Sequence, residues 1–272
     1  MVIDGKKIAE ELLSELKKKP IPQKFLAGVL IGKDLASESF QKLKEETAKK
    51  LGVDYRIYHL SDTESSDALR DEVGRIAMQK TCGGILVQLP IPAHLNKQYI
   101  LNAIPKEKDV DVLGERAMGA FYADRGVILP PSVATVEEIL KRVKFDLVGK
   151  TAAVVGPGFL IGRPIALWLM NRVRELFVLR RGSDYGVLKN ADLVISGAGV
   201  AGLLKPEMLK HGAGVIDFSY SQNENQKLVG DLDVSALEAG ALSFYTPTPG
   251  GTGPILVAKL LENFYTLNTL RS

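Results

Sequence analysis

The sequence predicts an α/β fold of two successive units, each built on a parallel sheet. Short apolar runs alternate with stretches in which apolar residues recur every three or four positions, and the connections between them are short. This strand–helix–strand order pairs strands in parallel through right-handed crossovers. It breaks over residues 104–131, where prolines, aspartates and a glycine read as the connection between the units.

In the first series IAEELLSELKKK (8–19) is a helix and FLAGVLIG (25–32) a buried strand. ASESFQKLKEETAKKL carries a helix over 37–51, with Ser37 as its cap. DYRIYHL (54–60) alternates as a strand, SDALRDEVGRIAMQK (66–80) is a helix, and GGILVQLP (83–90) is a strand closed by proline. In the second series SVATVEEILKRV (132–143) is a helix opened by Ser132. TAAVVG (151–156) is a strand, PIALWLMNR (164–172) a helix and LFVLR (176–180) a strand. LVISGA (193–198), GVIDFS (214–219) and SFYTP (243–247) are further strands, and a long helix covers 255–267.

Hydrophobic residues make up 46% of the 272, enough for a sizeable core. The 35 basic and 32 acidic residues leave a net charge of +3, and no long basic run stands out. That argues against nucleic acid or a membrane surface as a partner. Cys82 is the only cysteine, which excludes an internal disulfide. His59, His94 and His211 are scattered without metal-ligand spacing, so no metal is expected. MVIDGKKIAEELL has no apolar signal core, and no apolar run approaches the ~18 residues of a spanning helix. The expectation is a cytoplasmic protein.

TAAVVGPGFLIGRPIALWLM runs from a strand through Gly156, Gly158 and Gly162 into a helix. Glycines there let backbone N–H groups approach a pyrophosphate, and the helix start adds partial positive charge. The spacing G-x-G-x-x-x-G is one residue longer than the common dinucleotide fingerprint, and a tight turn without ligand is the plainer alternative. The next strand ends LRRGS. Where an NAD site carries an acidic residue for the ribose, this chain has Arg180 and Arg181, with Ser183 close by. Two guanidiniums suit a 2′-phosphate, which favours NADP over NAD, unless they are simply solvated.

On the helix over 37–51, Phe40, Leu43, Lys44, Thr47, Ala48 and Leu51 share a face. Lys44 therefore lies one turn from Phe40 on the apolar side. A lysine so placed ordinarily reaches for water; desolvated in a cleft, it has a lowered pKa and can shuttle protons. Gln88 ends a strand, where parallel sheets line their ligand crevice. Asp109 and Asp111 in KEKDVDVLG offer carboxylates.

Taken together, GGILVQLPIP (83–92), KDVD (108–111), GRP (162–164), GDLD (230–233) and TPTPGGTGP (246–254) resemble the bifunctional methylenetetrahydrofolate dehydrogenase/methenyltetrahydrofolate cyclohydrolases. The resemblance covers essentially the whole chain. It implies a folate-binding catalytic domain (1–117 plus 251–272), a Rossmann-type NADP-binding domain (118–250), and a last helix returning to the first domain. It implies oxidation of methylenetetrahydrofolate with NADP, then hydrolysis of the methenyl product to 10-formyltetrahydrofolate, in a homodimer.

In that family a lysine, held by a glutamine, moves the proton of hydrolysis, and a tyrosine four residues before it assists. Lys44 matches the lysine and Gln88 the glutamine, and Asp111 matches the pterin-binding aspartate. Gly250, Gly251 and Pro254 match the segment that packs on the folate. Gly156, Gly158, Gly162 and Arg163 fall in the cofactor loop, and Arg181 in the region reading the 2′-phosphate. The tyrosine is Phe40 here, so the ring can stack but the hydroxyl is gone, which implies a weakened hydrolysis. Val112 stands where a glycine is usual, and PPSVAT (130–135) replaces a Pro-Cys-Thr-Pro pattern. These departures leave open a dehydrogenase without the second step and a non-catalytic NADP- or folate-binding relative. A hydroxy- or keto-acid dehydrogenase would suit the glycine loop but not GGILVQLPIP or TPTPGGTGP.

Overall fold

The structure is a computed structural model and describes residues 1–222 and 226–270. The chain divides into two compact units, Glu11–Pro131 with Val257–Ser272, and Met1–Glu10 with Ser132–Leu256. The seams thus fall at 131/132 and 256/257, not at 117/118 and 250/251, and residues 1–10 belong with the later unit. Two backbone bonds explain the last point: Ile3 N–H donates to Tyr245 O, and Tyr245 N–H to Met1 O. Residues 271 and 272 of the expected folate-binding domain lie outside the described residues.

The three-stranded unit follows the chain in order. Helix α1 (Gly5–Lys17) leads to β1 (Phe25–Ile31), α2 (Leu35–Lys50), β2 (Tyr55–Leu60), α3 (Ser66–Met78) and β3 (Cys82–Val87). The strands are parallel in the order β2-β1-β3, with Leu26 opposite Tyr55 and Gly28 opposite Leu86. The stretch expected to be plain connection holds α5 (Glu115–Tyr122), preceded by the short α4 (Lys97–Leu101). Both helices are too short for a clear apolar period.

The five-stranded unit opens on α6 (Pro131–Val143) and β4 (Thr151–Val155), followed by α7 (Gly162–Leu169), β5 (Glu175–Leu179), β6 (Leu193–Ser196) and β7 (Gly214–Asp217). The two-residue strands β8 (Ser221–Gln222) and β9 (Leu228–Val229) pair antiparallel, and β10 (Phe244–Tyr245) joins the sheet edge. The sheet runs β10-β7-β6-β4-β5, all parallel. Helix α8 (Thr252–Thr269) ends the chain. Its Val257, Leu260, Leu261 and Phe264 pack with Leu16, Leu26 and Leu86 in the three-stranded core, so the last helix does return to the first unit. Among the described residues no helix is long and apolar enough to cross a membrane.

Two helix starts differ from expectation. Asp34 caps α2 by accepting from Ser37 N–H at 2.8 Å, so Ser37 sits inside the first turn. Ser132 likewise lies inside α6, and its hydroxyl donates to Leu160 O at 2.8 Å. Leu43, placed by periodicity on the inner face of α2, is exposed.

Val112 adopts φ 58° and is buried. Left-handed backbone costs a β-branched residue about 1–3 kcal/mol, while burial of its side chain stabilises by about 2 kcal/mol. The two nearly offset. Val112→Ala loses burial and keeps the strain; Val112→Gly loses burial and removes it. We therefore expect Val112→Gly to be more stable than Val112→Ala by about 1 kcal/mol in urea unfolding, the reverse of the usual order. The usual order, alanine above glycine, would show that the backbone is not strained at this position.

Candidate active site

Both sheets reverse their strand order at one place, and a parallel sheet opens its crevice there. In the three-stranded sheet the chain leaves β1 for β2 on one side and returns to β3 on the other. Helix α2 follows β1 directly, and Gln88 follows β3, held by its N–H to Val29 O at 2.8 Å. These elements bring Lys44 and Gln88 together from 44 residues apart: Lys44 Nζ donates to Gln88 Oε1 at 2.8 Å. Gln88 is fixed in turn, donating through Nε2 to Leu89 O at 2.9 Å. The Phe40 ring lies beneath the same ammonium, 5.9 Å from Nζ to the ring centre.

Lys44 does not reach for water; only 4% of its surface is exposed. Burial pushes its pKa down, and the charge of Asp111 opposes that fall. Burial also raises the half-buried Asp111, and Lys44 pulls it back. Lys42, Lys49 and Lys50, on the same helix, are exposed. Phe40, Lys44, Gln88 and Asp111 thus form one group within the three-stranded unit.

Asp111 is placed by its neighbours. Asp109 Oδ2 accepts from Leu113 N–H at 3.0 Å and Gly114 N–H at 2.7 Å, closing the turn around Val112. Burial raises Asp109 to about 7 against those bonds. On α8, Asn263 Nδ2 donates to Val110 O at 2.9 Å and to Leu129 O at 2.8 Å. Asp109, Asp111 and the turn between them are therefore held from both sides.

A second polar pair went unread in the sequence. Tyr55 OH donates to Gln41 Oε1 in the core under α2, and Gln41 Nε2 is buried without a partner among the described residues. Burial raises the Tyr55 pKa, with Asp111 and Glu45 adding to it, so the phenol stays neutral. A Cβ on Gly28 would run into both side chains. A glycine inside a strand run such as FLAGVLI was the available signal.

In the five-stranded sheet β4 is the switch strand, flanked by β5 and β6. The glycine loop leaves its carboxyl end. Gly156 has φ +81°, and a Cβ there would sit 2.6 Å from Ala198 Cα. A Cβ on Gly162 would strike the Gly156 carbonyl, whereas Gly158 faces open space. Helix α7 begins at Gly162, two residues earlier than the expected Pro164. The exposed Arg163 bonds Pro157 O through Nε at 3.2 Å. Arg180 and Arg181 are exposed at the end of β5, and neither is ion-paired among the described residues. Ser183 Oγ accepts from Arg180 N–H at 3.0 Å. An open glycine cradle at a helix start, beside two unpaired guanidiniums, fits a phosphorylated dinucleotide.

Gly250, Gly251 and Pro254 also lie in this unit, not with Lys44. Thr252 Oγ1 donates to Asp217 O at 3.0 Å and Thr248 Oγ1 to Ser219 O at 3.1 Å, which ties their segment to the end of β7. Among the described residues no group of three His, Cys, Asp or Glu could hold a metal ion.

Comparison with known proteins identifies the family. Residues 3–111 match the catalytic domain of tetrahydrofolate dehydrogenase/cyclohydrolase, and residues 130–271 match its NAD(P)-binding domain. The bifunctional protein FolD of Staphylococcus aureus is 36% identical over 96% of this chain and 94% of its own. The Campylobacter jejuni bifunctional FolD superposes with a TM-score of 0.94 at 32% identity, over 100% of this chain and 99% of that one. The Trypanosoma brucei dehydrogenase-cyclohydrolase, solved with NADP cofactor and an inhibitor, gives 0.92 at 29% identity over 100% and 98%. The chain belongs to the tetrahydrofolate dehydrogenase/cyclohydrolase family.

Proposed function

We propose that this protein oxidises 5,10-methylenetetrahydrofolate to 5,10-methenyltetrahydrofolate with NADP and hydrolyses the product to 10-formyltetrahydrofolate. The observation that carries the reading is the buried Lys44 ammonium held on Gln88 Oε1 beside Asp111. The homodimer and the cytoplasmic setting rest on the family resemblance and on composition.

Bound at the β4 switch point, NADP supplies the acceptor for a hydride from the one-carbon bridge. The protein's part is to bind and orient. The turn through Gly156, Gly158 and Gly162, with the Arg163 side chain and the start of α7, takes the pyrophosphate. Arg180, Arg181 and Ser183 take the 2′-phosphate. Gly250, Gly251 and Pro254 pack on the folate, Phe40 stacks on its ring, and Asp111 accepts from pterin N–H groups.

Hydrolysis asks more of the side chains. Water adds to the methenyl carbon and gives up a proton. The resulting carbinol transfers its hydroxyl proton to N5 as the carbon–N5 bond breaks, leaving the formyl group on N10. One proton is released overall. A lysine with a lowered pKa takes and returns these protons readily, and Gln88 keeps its nitrogen aimed. The methenyl cation itself favours a neutral amine beside it.

Lys44→Met should lower methenyltetrahydrofolate hydrolysis by about 10²–10⁴-fold while NADPH formation stays detectable. Unchanged hydrolysis above the no-enzyme rate would remove Lys44 from proton transfer. Phe40→Tyr should raise hydrolysis about fivefold, the worth of one hydrogen bond, and leave dehydrogenation nearly unaltered; equal gains in both steps would contradict a role for the hydroxyl. Replacing Arg180 and Arg181 together by alanine should weaken NADP relative to NAD by about 10- to 100-fold, as expected for lost charge-assisted bonds. An unaltered NADP/NAD ratio would place the 2′-phosphate elsewhere.

A further inference from the structure

The GDLD segment (230–233) has no part in the chemistry above, yet it carries a fully buried carboxylate. Asp231 Oδ2 accepts from Ser196 Oγ and from Ala198 N–H at 2.8 Å, and Oδ1 accepts from Val200 N–H at 2.7 Å. The N–H between them, on Gly199, donates to Ser219 Oγ at 3.1 Å. Three consecutive amides of the loop after β6 are therefore consumed by side chains, two of them by one carboxylate.

That loop is the seat of the glycine loop. A Cβ on Gly156 would lie 2.6 Å from Ala198 Cα and 2.7 Å from Ala198 N, and one on Gly197 would lie 2.9 Å from Ile161 Cγ2. The backbone of 197–198 thus touches both ends of the 156–161 turn at van der Waals distance. Any shift of the loop after β6 moves Gly156 or Ile161 with it. A carboxylate accepting two amides and a hydroxyl is a strong brace because each bond is charge-assisted.

We propose that Asp231 is a positioning residue for the dinucleotide: it touches no cofactor atom but sets the 197–200 backbone against which the glycine loop takes its binding shape. The proposal rests on the NADP-dependent reading given above. An asparagine at this position keeps the shape but turns one acceptor into a donor facing a donor, which costs a buried polar group its partner.

Calorimetric titration of Asp231→Asn with NADP, beside hydrolysis of supplied methenyltetrahydrofolate without cofactor, separates positioning from general damage. We expect NADP affinity to fall about tenfold or more, with cofactor-independent hydrolysis within twofold of the unaltered protein. NADP affinity within twofold of the unaltered protein, or equal losses in binding and hydrolysis, would overturn the proposal. If Asp231→Asn does not fold, Ser196→Ala, which leaves both amide bonds, decides by the same split with a smaller loss of NADP affinity. Failure of the unaltered protein to form NADPH would instead refute the functional reading itself.

Discussion

An ammonium taken out of water costs several kcal/mol unless its surroundings replace the lost hydration. Lys44 is in that position. One bond to Gln88, the ring of Phe40 and the field of Asp111 replace only part of what water gave. The deficit appears as a lowered pKa, and that is the property hydrolysis can use. Much of the three-stranded unit serves this arrangement. The β1–β3 pairing sets Gln88 opposite α2, α8 holds the loop of Asp111 through Asn263, and Asp109 closes the turn behind it.

The five-stranded unit solves a different problem with the same means. A dinucleotide needs backbone amides presented in a fixed turn, and glycine makes that turn possible without making it rigid. Rigidity comes from buried acceptors on neighbouring loops. Asp231 braces the loop after β6, while Asp217 takes Ser219 and Leu232 N–H groups at 2.8 and 2.9 Å. Burial raises Asp217 to about 6. In both units a buried acid braces the backbone beside the proposed ligand groups: Asp109 in one and Asp231 in the other.

Element types were legible because apolar period and length agree over most of the chain. The helix of Lys44, the strand of Gln88 and the strand–glycine–helix run at 151–169 all follow from local pattern. What was not legible is tertiary. Asp34 rather than Ser37 caps α2 because the chain turns one residue pair earlier than periodicity suggests. The N-terminal residues join the later unit through a bridge to Tyr245, which no local pattern encodes. The Gln41–Tyr55 pair and the Asp231 brace join residues 14 and 31–35 apart. Gly28 and the GDLD segment marked their places without stating their partners.

Proton transfer during hydrolysis depends on the protonation state of Lys44. Lysine labelled with ¹³C at Cε gives one titrating signal per side chain, and Lys44→Met identifies the one that matters. We expect this signal to titrate well below the ordinary lysine value of about 10.4, because burial disfavours the Lys44 ammonium. A Lys44 signal titrating at the ordinary lysine value would mean a solvated ammonium, and the proton-transfer role would have to be given up.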